Sequence, residues 1–342
     1  MNNPKRNITL FSLLFAGLIV LFFVNISFGS ITIPFKEVYA SLTGGHSSKS
    51  TWEYIIINYR LPKAITAVLV GMGLSISGLL MQTLFRNPLA GPYVLGLSSG
   101  ASLGVAFVIL GASILPSFLS GILLSPYGIV LASTLGSTSV LLLVLLVSQR
   151  LRDTMAILIV GLMFGSFTSA IVGVLTYFSS AEQLQKFTFW SMGNLGNLSW
   201  KSILILTICV LFGLFLSLLS VKPLNALLLG ENYAKSMGLN FNKARLIIIL
   251  ATSILAGSIT AYAGPIAFIG LAVPHIAKLL FQTSNKTDLF WRTLLFGTGI
   301  KLICDVVSQM PGIEITLPIN AITSILGAPV VIWLLVRKRS FK

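Results

Sequence analysis

Long apolar runs alternate with short polar breaks along almost the whole chain, and the breaks carry the proline, glycine and basic residues that mark helix ends. Ten runs, at 8–28, 61–83, 93–115, 121–148, 155–178, 202–221, 244–262, 265–282, 289–310 and 317–336, each predict an α-helix. A spanning helix needs roughly 20 mostly apolar residues, so each run is read as a membrane span. No Asp, Glu, Lys or Arg lies between Arg86 and Arg150, a stretch that suits two spans broken by Pro116, Gly121 and Pro126. The first run follows Lys5 and Arg6, the basic start of a cleaved leader. It exceeds the apolar core of about 7–15 residues of such leaders and lacks a small-x-small cleavage site, so a retained first helix is expected.

Composition sharpens this into an all-α integral membrane protein. Of 342 residues, 55% are hydrophobic and 9% charged, with a mean hydropathy of +0.95. A soluble domain carries about 25% charged residues. The net charge of +15 does not imply nucleic acid, because the Lys and Arg residues stand singly at the ends of apolar runs. That is the pattern of cytoplasmic loops. With the amino terminus inside, 16 of the 23 basic residues fall on inner segments and six on outer ones, leaving Lys301 within a span. Both termini are therefore expected in the cytoplasm. Cys209 and Cys304 sit inside apolar runs and suggest neither a disulfide framework nor a metal cluster.

On the outer side, residues 29–60 form the longest connection. The second long one, "SAEQLQKFTFWSMGNLGNLSW", predicts a short surface helix, with Trp190 and Trp200 at headgroup level. On the inner side, "LLLGENYAKSMGLN" (227–240) interrupts two apolar runs with a glycine-bounded polar segment. Glu231 would lie at the positive end of a short helix, Ala234 would leave room for a close partner, and Gly238 would end the helix in a left-handed cap. From the local pattern, a solvated connector and a docking element both remain open.

Other segments constrain the chemistry. Asn87-Pro88 and Gly91-Pro92 break the chain between the second and third runs. Gly96, Gly100 and Gly104 then form one smooth helical face, as do Gly161, Gly165, Ser169 and Gly173, and such faces mark close helix packing. "AGPIAFIGLAVPHIAKLL" (263–280) places irregular backbone at membrane depth, tolerated where protein buries it or water lines it. His275 within it has no Cys, Asp or Glu cluster around it, so a packed polar contact is expected in place of a metal site. Lys301 and Asp305, four residues apart, are expected to neutralise one another. A stand-alone ion-coupled secondary transporter, the alternative reading, would show more intramembrane carboxylates or ion-coordinating broken helices. There is no Walker A or H-E-x-x-H motif, so no catalytic residue, cofactor or ATP site is expected in this chain.

Four ordered blocks together resemble the FecCD family, permeases of bacterial ATP-binding-cassette (ABC) importers for iron-siderophores, haem and vitamin B12. They are "YRLPKAITAVLVGMGLSISGLLMQTLFRNPLAGPYVLGLSSGAS" (59–102), "LGENYAKSMGLN" (229–240), "AGPIAFIGLAVPHIAKLL" and "LPINAITSILGAPVVIWLL" (317–335). The resemblance covers nearly the whole chain. It implies one permease domain over 1–342, of about ten helices and the vitamin B12 permease-like type, in the bacterial cytoplasmic (inner) membrane. It further implies a second permease, identical or paralogous, two cytoplasmic ATPase subunits and an extracytoplasmic substrate-binding protein. Gly230, Glu231, Ala234 and Gly238 match the family's ATPase-coupling segment, and Arg86, Asn87 and Pro88 fall in its inner turn. Arg60 and Lys63 match basic positions that contact the binding protein in the vitamin B12 branch. Gln309 replaces a third such base, and Thr316-Leu317-Pro318-Ile319-Asn320 replaces the usual Glu-Leu-Pro-(Val/Ile)-Gly, with Glu314 two positions from the missing acid.

Overall fold

The computed structural model describes residues 4–45, 47–112, 121–150, 154–196, 198–228, 236, 238–281, 283, 285–310, 312 and 315–339. Among them are thirteen α-helices and no strand. A helix occupies part of each of the ten apolar runs, since a chain in lipid must satisfy its backbone internally. Five helical segments are long and apolar enough to cross a bilayer: Ser50–Leu84, Pro126–Val147, Met155–Tyr177, Trp200–Ala226 and Phe241–Ala263.

The chain divides into two compact units, each made of separated segments. The first comprises Met1–Ser75, Asn194–Ile208 and Ile266–Lys342. It contains α1 (Pro4–Ser27), α2 (Phe35–Leu42), α3 (Ser50–Ile55), α11 (Ile269–Phe281), α12 (Lys286–Ser308) and α13 (Ile319–Arg339). The early parts of α4 (Leu61–Leu84) and α9 (Trp200–Leu228) belong to it as well. Helix α12 is its centre, packed by α1, α11 and α13.

The reading of 29–60 as a plain connection is corrected here. Helix α3 runs through a π-helical turn at Ile56–Arg60 directly into α4, so one rod extends from Ser50 to Leu84. Asn58 and Arg60 look like helix ends in sequence. Arg60 instead turns inward and bonds carbonyl groups of its own unit, which lets the helix continue.

The second unit comprises Ile76–Gly193 and Cys209–Pro265. It contains α5 (Leu97–Ile109), α6 (Pro126–Arg150), α7 (Thr154–Tyr177), α8 (Ala181–Ser191) and α10 (Phe241–Ala263), with the later parts of α4 and α9. The glycine face of α5 explains its packing on α6. A Cβ on Gly100 would stand 2.6 Å from the Gly136 carbonyl oxygen, so the two backbones touch where side chains would separate them. The partner positions Gly136 and Ala132 belong to a run in which the sequence shows no comparable ladder.

Helix α8 is the expected surface helix. Its capping box joins Ser180 and Gln183, and Leu184, Phe187 and Trp190 rest on the buried end of α5 around Val105 and Ile109. By contrast, only 17% of the apolar window of α7 is buried, against 67% for α10. Helix α7 therefore gives most of its surface to lipid or to another subunit, and its Gly173 has nothing within 4 Å of a would-be Cβ.

Candidate functional site

The two sets of residues singled out by sequence fall in different units. Arg60 and Lys63 lie in the first unit, at the end where α1 stops and α12 finishes. Arg86, Asn87, Pro88 and Gly238 lie in the second.

In the first unit, Asp305 organises a buried polar cluster. Its carboxylate is fully buried, with Oδ1 3.2 Å from Nζ of Lys63. Its Oδ2 accepts from Nδ2 of Asn25 and from Nε2 of Gln309, both at 2.9 Å. Both oxygens are thus occupied by donors from three helical segments, which is what an ionised carboxylate needs away from water. Close contact of α4 with α12 makes this possible. A Cβ on Gly71 would lie 2.7 Å from the Gly297 carbonyl, so the helices approach at their glycines and Lys63 reaches Asp305 two turns further along.

This geometry corrects the expectation that Lys301 and Asp305 neutralise one another. Asp305 is held by Lys63, Asn25 and Gln309, whereas Nζ of Lys301, also fully buried, has no hydrogen-bond partner among the described residues. The spacing of four places both on one face of α12. The carboxylate is drawn towards the donors at the end of the unit and away from the lysine one turn earlier.

Arg60 is 9% exposed, far from an open surface cation. Its Nη1 donates to the carbonyls of Ile26 and Ser27, each at 2.8 Å, and its Nη2 to that of Ile31. The last carbonyls of a helix have no partners within it. Arg60 supplies them for α1 and holds the bend that follows. Gly29 sits in that bend, where a Cβ would be 2.9 Å from the guanidinium. Lys63 keeps 19% of its side chain exposed and so combines a buried counter-ion with access to solvent. Gln309, marked in sequence as a missing base, serves as a donor to Asp305.

In the second unit, α4 ends in a tight turn. Arg86 adopts a left-handed backbone (φ 48°) and is exposed. The side-chain oxygen of Asn87 accepts from the Leu89 N–H at 2.9 Å, and its backbone carbonyl accepts from the Ala90 N–H at 3.1 Å. Pro88 cannot extend the helix. The result is a rigid exposed corner. Gly238 is exposed with φ +83°, the left-handed stop expected of it, and Asn240 two residues on caps α10 by accepting from the Lys243 N–H at 3.1 Å. Gly230, Glu231 and Ala234, the other members of this expected coupling segment, lie outside the described residues, as does Glu314.

The FecCD transport family matches residues 17–337. The chain belongs to that family. It is 33% identical over 340 residues to the hemin transport system permease protein HmuU of Yersinia pestis, covering 99% of this chain and 98% of the relative. It is 35% identical over 288 residues to the vitamin B12 import system permease protein BtuC of Klebsiella pneumoniae, covering 84% of each. A solved structure assigned to the metal-chelate type of ABC transporter, in an inward-facing conformation, aligns with a TM-score of 0.82. It is 28% identical, over 98% of this chain and 100% of that one. The FecCD chain is accordingly an ABC importer permease, a multi-pass protein of the inner membrane that transports and does not catalyse.

The sequence missed Asn25 and Asn320. Asn25 gives a polar side chain to an otherwise apolar helix, which is a usable signal in lipid. Asn320 accepts from the Ala267 N–H at 2.9 Å and thereby satisfies the irregular backbone ahead of α11. Its signal was present as the departure from the family's glycine at that position.

Proposed function

We propose that this FecCD permease carries a metal chelate, an iron-siderophore complex or alternatively haem or cobalamin, handed over by an extracytoplasmic binding protein. Residues 1–342 act as one permease domain with ten spans and cytoplasmic termini. It pairs with a second permease and is driven by two cytoplasmic ATPase subunits. The observation that carries this reading is full-length family membership in a chain without a nucleotide-binding motif, so the energy must enter from another subunit.

In this reading, Gly230, Glu231, Ala234 and Gly238 form the element gripped by the ATPase, and Arg86, Asn87 and Pro88 contribute to the same coupling. The left-handed backbone at Gly238 supports it, because it fixes the direction in which the chain leaves the segment. Lys63 is the charge offered to the binding protein. Arg60 contributes by holding the bend 26–31 beneath that surface.

The test is uptake of labelled ferric chelates, haem and cobalamin into liposomes containing the permease, its ATPase and its binding protein. ATP-dependent uptake of one chelate is expected. Uptake that follows an ion gradient without the ATPase would establish the secondary-transporter alternative. Gly238→Pro, which forces φ to about −65°, should leave insertion intact while separating ATP hydrolysis from uptake by about 10-fold or more, an order set by losing one coupling contact. Unchanged coupling would remove the segment from the drive.

A further inference from the structure

Lys301 stands beside the Asp305 cluster without joining it. It is fully buried, and its Nζ has no hydrogen-bond partner among the described residues. A buried ammonium without a partner is costly, so filling space does not account for a lysine there. A Cβ on Gly71 would lie 3.0 Å from the Cβ of Lys301, which roots the side chain in the contact between α4 and α12. The charges of Asp305 and Lys63 both act on it. Asp305 follows four residues later on the same face of α12. Side chains on a helix lean toward its N-terminus, so the carboxylate overhangs the turn of Lys301. The lysine stem of four flexible carbons brings an ammonium within reach of an acid one turn away.

An acceptor is unspent at the same level. Asn25 donates from Nδ2 to the Leu302 carbonyl at 3.4 Å and to Asp305, while its buried Oδ1 has no partner among the described residues. Lys63, the cation now on Asp305, is partly open to solvent. Arg60 is no substitute for it, because its guanidinium is committed to the carbonyls of Ile26, Ser27 and Ile31. Were Lys63 drawn out to an acidic partner with nothing in its place, Asp305 would be stranded. That loss exceeds what an exposed ion pair returns. A second lysine in range removes the obstacle, since one pair is made as the other breaks. We propose that Lys301 is the reserve counter-ion of Asp305: when an acidic group of the binding protein draws Lys63 outward, the Lys301 ammonium moves onto the freed carboxylate oxygen and the Asn25 acceptor. This rests on the docking role given to Lys63 above. It carries docking at the end of the unit down to the α4–α12 contact at Gly71.

A double-mutant cycle on the full-length permease, read by thermal melting, tests this. With Lys63 present, Lys301→Met removes an unpaired buried charge and should leave the melting temperature unchanged or raise it. In the Lys63→Gln background the same substitution should lower it by about 4 °C, the order expected of coupled neighbours. A residue that merely fills space gives no such reversal of sign. Lys301→Arg, which keeps the charge, should recover most of the loss. Should Lys301→Met fail to fold, Lys301→Gln completes the cycle. Equal effects in the two backgrounds would overturn the exchange. Affinity for the binding protein should also fall about 5-fold in Lys301→Met, the lower end of allosteric coupling, although the residue is too deep to touch a partner. Unchanged affinity there, where Lys63→Gln weakens binding, would overturn it as well. Unchanged binding in Lys63→Gln itself is a separate failure: it removes Lys63 from the docking surface and takes the trigger of the exchange with it.

Discussion

Both units bring helices together at glycines, but the first adds a polar lock that the α5–α6 contact of the second does without. The first joins α1, α4 and α12 through a charged cluster around Asp305, in which every bond has a direction and a required partner. The second joins α5 and α6 by removing side chains, so that Gly100 and Gly136 bring backbones into contact. Lipid tails are as apolar as leucine, so helices there associate through packing and polar contacts rather than hydrophobic transfer. A polar lock fails when one partner is lost. A steric fit fails when one atom is added.

That contrast orders the expected effects. Asp305→Ala should be the most damaging change, because it leaves Lys63, Asn25 and Gln309 without their acceptor. Removing one member of a buried pair costs about 3–5 kcal/mol, and a large drop in the melting temperature of purified protein should show it. A melting temperature within a degree or two of wild type would mean that the cluster does not hold the first unit together. Gly100→Leu should follow, at about 1–3 kcal/mol for overpacking, read as accelerated proteolysis within α5 and α6. Full stability there would show that the two helices can separate freely.

Lys63→Gln is expected to touch both locking and docking. It takes the cation away from the buried Asp305 carboxylate, so some stability should be lost, while association with the binding protein at low salt should slow by about 10-fold, in the manner of a rim charge. The difference should shrink at high salt. An equal slowing at every salt concentration would point to lost shape instead of lost charge.

The smallest effect concerns Glu37, on the surface of the first unit. The backbone N–H of Ser48 donates to its carboxylate at 2.8 Å and holds its pKa below the ordinary 4.5, with Ser47 adding a second bond. A lowered folded pKa stabilises above the ordinary value and ceases to do so as pH falls through the folded one. Amide exchange at Ser48 should therefore be slow near neutrality and quicken in acid beyond the intrinsic trend. Glu37→Gln should abolish that difference.

Much of this architecture was legible because lipid imposes a simple rule. Uninterrupted apolar runs became helices, the glycine face on α5 became a close contact, and the amphipathic stretch after Ser180 became a capped surface helix. The site was less legible wherever a charge had to be paired across the fold. Spacing put Lys301 with Asp305, but a spacing of four states proximity on one helix and says nothing of better donors on others. Arg60 read as an exposed base because sequence does not reveal that α1 ends with carbonyls in need of donors nearby. Helix α3 continuing through Ile56–Arg60 into α4 was hidden for the same reason. Gly238, by contrast, was readable alone, since its left-handed turn is a property of one residue.

The bond from Asn320 to Ala267 has a mechanical consequence. It ties the loop ahead of α11 to the first turn of α13. Any stroke that displaces the final helix must either tow that loop along or leave the Ala267 amide without its acceptor. The last helix and the stretch before α11 are thereby leashed to one another and travel as a single moving part.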